Sequence, residues 1–72
     1  MSKRHLSKYQ ELAKKLRAAR LEAGLTQVEV GKRLRKPQAY LSKIEQGERL
    51  VDAVELGEFA KVYKKDIRYF IK

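Results

Sequence analysis

Gln38, Ala39, Ser42 and Lys43 fall within one short run, Pro37 to Glu45, PQAYLSKIE. Wound as a helix, the run turns those four side chains to one side and Leu41 and Ile44 to the other. The polar side suits the base edges of the DNA major groove. A glutamine amide matches the paired acceptor and donor of adenine, a lysine reaches guanine acceptors, and an alanine methyl lies against a thymine methyl. Catalytic chemistry has little to work with. There is no cysteine and one histidine, His5, without a partner for a metal. No paired acids suggest a pocket, so the chain is expected to be no enzyme and to carry neither metal nor cofactor.

Charge points the same way. Eighteen Lys and Arg against nine Asp and Glu give +9 over 72 residues, a balance that suits a polyanion, with mere solubility as the plain alternative. Between Gly31 and Lys43 stand Lys32, Arg33, Arg35, Lys36 and Lys43 and no acid. Arg35 and Lys36 directly precede the run and are expected to anchor DNA phosphates, as is Ser42. Tyr40 has two open readings, packing at the side of the helix or a hydroxyl directed to the DNA backbone.

The elements that must position these residues are short. Ser7 with Gln10 predicts the start of a first helix with a capping box, Leu12, Ala13, Leu16, Ala19 and Ala23 facing inward and Gly24 ending it. Thr26 with Glu29 opens a second, burying Val30 and Leu34. Gly31, a poor helix former, implies either close approach of the following helix or simple tolerance. Pro37 starts the third helix, which runs to about Gln46 and stops at Gly47. A fourth begins near Asp52, with Ala53, Leu56, Ala60 and Tyr63 inward and Phe59 beside them. Asp66 caps a last helix, Ile67 to Ile71. The chain is thus expected to be all-α with five short helices, residues 1–6 forming a basic flexible tail and residues 7–72 the domain. A domain of this size buries roughly 60% of its unfolded surface, so packing or oligomerisation must stabilise it. No long apolar run exists, and MSKRHL lacks the segment of a secretion signal, so a cytoplasmic location without membrane contact is expected.

Gly24-Leu25-Thr26-Gln27, then Val30, Leu34, Ser42, Ile44-Glu45 and Gly47, resemble the Cro/C1-type (XRE-like) helix-turn-helix family of phage and bacterial repressors. The resemblance spans about Leu12 to Phe70. It implies a compact, lambda-repressor-like five-helix fold in which helix three enters the major groove. It implies that Gln38, Ala39 and Lys43 read bases, with Gln27 at a phosphate. It also implies that Arg20 pairs with Glu45 to fix helix one against helix three. Two positions depart from the family pattern. Arg35 stands in the turn where glycine is frequent, and Gly31 where alanine is usual, which would shift the angle of the third helix.

The function implied is sequence-specific transcriptional regulation, as a repressor on an inverted-repeat operator. Three large apolar residues at the end, Tyr69, Phe70 and Ile71, exceed the needs of a small core and suggest a homodimer surface. Two half-sites would then raise affinity by linking the binding events. The alternative is an adaptor, coactivator or antitoxin-type module on the same fold. RNA polymerase, met through Glu48, Asp52 and Glu55, or a toxin would be further partners. RNA binding would call for an aromatic platform that the sequence does not suggest.

Overall fold

Polar caps and glycines set the helix limits. The computed structural model describes residues 3–71, with backbone alone for residues 3–8. Five helices follow in order: α1 Lys3–Glu22, α2 Gln27–Leu34, α3 Gln38–Glu45, α4 Ala53–Tyr63 and α5 Arg68–Ile71. No strand occurs among the described residues.

The first helix starts earlier than the Ser7–Gln10 pattern suggests. Its backbone is helical from Lys3, so residues 3–6 of the expected tail belong to α1. Lys3, Arg4 and Leu6 are good helix formers and none of these residues breaks a helix. Residues 1 and 2 and the His5 side chain lie outside the described residues. Gly24 ends α1 with φ +74°, its amide donating to the Leu21 carbonyl at 3.0 Å.

Thr26 and Glu29 form the expected box: the Glu29 amide donates to Thr26 Oγ1 at 3.1 Å and the Thr26 amide to Glu29 Oε1 at 2.8 Å. The backbone bond holds the Glu29 carboxyl below its ordinary value. Asp52 and Glu55 repeat the device at α4, at 2.7 and 3.0 Å. The Arg68 amide donates to Asp66 Oδ1 at 2.9 Å at the start of α5.

The core gathers Leu16 and Ala19 from α1, Val30 from α2, Leu41 and Ile44 from α3 and Leu56 and Ala60 from α4 around Phe59. Phe59 is only 1% exposed, with the Tyr40 and Tyr63 ring centroids at 6.2 and 5.8 Å. Phe59 is therefore the centre of the inward face of α4. Ala23 and Ala53, expected inward, are exposed. Ala23 follows the last residue of α1 and Ala53 is the first of α4, where the chain turns away from the core.

The terminal aromatics also depart from expectation. Phe70 is 4% exposed and belongs to the core of its own chain. It meets the half-buried Tyr69 edge to face at 4.9 Å. This packing removes Phe70 from the suggested dimer surface, because α5 folds back onto α1. Ile71, 63% exposed, stays outside.

The α2–α3 turn settles the alternatives for Gly31. A Cβ there would lie 2.6 Å from the Lys36 carbonyl oxygen, and the Lys36 amide donates to the Gly31 carbonyl at 2.8 Å. A hydrogen atom at Gly31 thus lets the backbone return tightly before α3. Arg35 caps α2 in the left-handed region, φ 58° and ψ 45°, a conformation unfavourable to L side chains. Arg35→Gly is expected to stabilise the fold by about 0.5–1 kcal/mol, the relieved strain being partly offset by glycine's larger unfolded entropy. Thermal melting checks this as a rise of roughly 2–8 °C in midpoint. An unchanged midpoint would mean that the arginine side chain offsets the strain.

Candidate nucleic-acid interface

Gln38 and Ala39 are the first two residues of α3, and both are exposed. Lys43 is exposed one turn further on, and the half-buried Ser42 accepts from Gln46 Nε2 at 3.2 Å. Arg35 and Lys36 are exposed in the turn before α3. The basic corner therefore adjoins Gln38 and Ala39 at the start of α3, while Lys43 lies in the last turn of that helix.

A chain of side-chain bonds runs from the scaffold to Gln38. Arg20 Nε donates to Glu45 Oε2 at 2.7 Å and Nη2 to Oε1 at 3.0 Å. Its remaining nitrogen Nη1 donates to the Leu25 carbonyl at 2.9 Å. The two side chains are 10% and 4% exposed, and the bond to Glu45 raises the Arg20 pKa. Gln27 Nε2 donates to Glu45 Oε1 at 3.0 Å, and Gln38 Nε2 donates to Gln27 Oε1 at 3.2 Å. Arg20 from α1, Glu45 and Gln38 from α3 and Gln27 from α2 thus form one connected network. A side chain fixed at its amide nitrogen meets a partner in fewer orientations, which lowers the entropy lost on contact. The half-buried Gln27 side chain thus links Glu45 to Gln38, with one bond at each end of its amide.

The Tyr40 hydroxyl is held within the chain. Tyr40 is 8% exposed, and its hydroxyl donates to Glu55 Oε2 at 3.0 Å. Burial, aided by that bond to a carboxylate, pushes its pKa up to about 12. This geometry is that of the packing reading, with the hydroxyl's partner fifteen residues away on α4. A charged neighbour goes unmarked by the sequence patterns. The Arg49 guanidinium carbon lies 4.6 Å from the Tyr40 ring centroid, and Lys36 Nζ lies 5.1 Å from it. Arg49 thereby joins the basic corner from the α3–α4 connection. The isolated cation between Glu48 and Leu50 carries no periodic signal; only the folded path brings it beside α3.

Among the described residues, no group of three or more His, Cys, Asp and Glu could hold a metal ion. No helix of the described residues is long and apolar enough to cross a membrane.

Two short helices joined by a tight turn, the second presenting polar residues at its exposed N-terminal end beside a basic corner, define a helix-turn-helix domain. A family model described as helix-turn-helix matches residues 16–70, and the chain belongs to that family, in its Cro/C1 type. The family is one of DNA-binding transcription regulators and is not typically enzymatic. No curated protein and no solved structure gives a significant match.

Proposed function

We propose that the chain is a repressor that binds an inverted-repeat operator as a homodimer, with α3 in the major groove. The exposed Gln38, held by Gln27 on the Arg20–Glu45 pair, carries this reading. It is a hydrogen-bonding side chain presented at the helix end that meets base edges. Gln38, Ala39 and Lys43 read bases, while Arg35, Lys36, Ser42 and the first-turn amide of Gln27 hold phosphates. Occlusion of a promoter is the mechanism that needs least beyond this domain. The dimer surface now centres on Ile71, with the exposed Ile67 on the same terminal segment.

Selection from random duplex DNA tests the reading. The wild-type chain is expected to enrich a short palindrome and to weaken steeply with salt. Gln38→Ala should lose discrimination at one position of each half-site by about 1–3 kcal/mol while keeping its salt dependence. Equal affinity for all duplexes would defeat the sequence-specific reading.

A further inference from the structure

Tyr40 gathers cations from both sides of α3. Lys36 precedes the helix and Arg49 follows it, yet both lie near the same ring, at 5.1 and 4.6 Å from its centroid. A cation over an aromatic face keeps its charge while its freedom is reduced. Two positive groups are thus placed beside the first turn of α3.

Arg49 also faces an anion. Its Nη1 lies 3.3 and 3.4 Å from the two Glu55 oxygens, and its side chain remains 40% exposed. Glu55 is pinned from two other directions. Its Oε1 accepts from the Asp52 amide at 3.0 Å and its Oε2 from the Tyr40 hydroxyl at 3.0 Å. The carboxylate therefore stays close to Arg49 when a second anion approaches the exposed part of the guanidinium. The two anions would repel each other, and both would draw on one positive charge.

We infer that Lys36 and Arg49 form a site for a backbone phosphodiester of duplex DNA, and that Glu55 competes with that phosphate for Arg49 and so limits affinity. This rests on the reading of α3 as a groove-binding helix. It adds a site outside α2 and α3 and gives a capping residue of α4 control over binding strength. Since phosphates carry no base identity, the effect falls equally on every sequence.

The test is the dissociation constant as a function of salt for two duplexes, one selected from a random library and one of unrelated sequence. Glu55→Gln removes the charge and keeps one oxygen, for the Asp52 amide, while its NH2 takes the other position and donates to the Tyr40 hydroxyl, which can accept as well as donate. Glu58→Gln, at an exposed position on the same helix, makes the same change in net charge and serves as the control. Glu55→Gln is expected to bind both duplexes about two- to fivefold more tightly than Glu58→Gln, the range of an exposed ion pair. Its log–log salt slope should steepen by up to about 0.9, the contribution of one neutralised phosphate. Arg49→Ala, which leaves the α4 cap intact, should weaken both complexes, flatten the slope and abolish the gain from Glu55→Gln. Equal gains from Glu55→Gln and Glu58→Gln would overturn the site. So would a Glu55→Gln gain that survives Arg49→Ala, or an unaltered slope in Arg49→Ala. Wild-type protein that binds neither duplex at low salt would overturn the DNA-binding reading itself, and this site with it.

Discussion

Arg20→Ala is expected to destabilise the domain by about 3 kcal/mol, the lower end of what breaking a buried ion pair costs. The lower end applies because Gln27 Nε2 would still donate to Glu45. The folded state of a chain of 72 residues lies roughly 4–11 kcal/mol below its unfolded state, so this one change removes a large part of its stability. Urea unfolding measures it, through a lower midpoint at unchanged slope. Arg20→Met with Glu45→Leu separates scaffold from presentation. Replacing both charges by apolar groups of similar size is often nearly neutral, so the double variant should recover most of the lost stability. It cannot restore Gln27, whose amide donor would have no carboxylate to meet, and Gln38 beyond it would be less constrained. Affinity for the selected duplex should therefore remain reduced in a folded protein, while affinity for an unrelated duplex changes little. Full recovery of selected-duplex binding would show that the pair only braces α1 against α3.

That network shows which features were legible in the sequence. The boundaries of α2 and α4 were, because Thr26 with Glu29 and Asp52 at the α4 start act within one turn of chain. Val30, Leu41 and Ile44 were assigned inward by spacing alone, since helical period fixes the face each residue takes. Arg20 and Glu45 are twenty-five residues apart and became a pair only through resemblance to a family pattern. Tyr40 was ambiguous for a related reason. A phenol at the side of a helix can pack or direct its hydroxyl to a DNA backbone until a partner is known, and the partner here, Glu55, lies on another helix. Arg49 gave no signal, because its position depends on the path of the α3–α4 connection. The start of α1 was misjudged at Ser7: a capping pattern marks where a helix can begin, and good helix formers upstream can carry it further. Local devices could thus be read directly, whereas contacts between helices needed the fold.

Phe70→Asp, which a dimer surface at Tyr69, Phe70 and Ile71 would recommend as a dissociating change, is expected to unfold the chain instead. Truncating a buried phenylalanine costs about 3–5 kcal/mol, and Phe70 is 4% exposed in the core formed with α1 and α4. The aspartate would add the penalty of a carboxylate in an apolar site that offers it no partner. Together these approach or exceed the stability typical of a domain this size, so far-ultraviolet circular dichroism should show little helix and no cooperative melt. Ile71→Asp is the informative change. At 63% exposed, Ile71 can accept a charge with an effect within about 0.5 kcal/mol on a monomer, the usual range for surface substitutions. If α5 pairs two copies, this variant should sediment as a folded monomer at concentrations where the wild-type chain is dimeric. It should also lose the affinity gained from two linked half-sites while still binding one. A folded, dimeric Ile71→Asp would place the contact elsewhere on the surface. A folded Phe70→Asp would be more damaging, since it would contradict the packing of α5 against α1 on which the assignment of Ile71 to the outside depends.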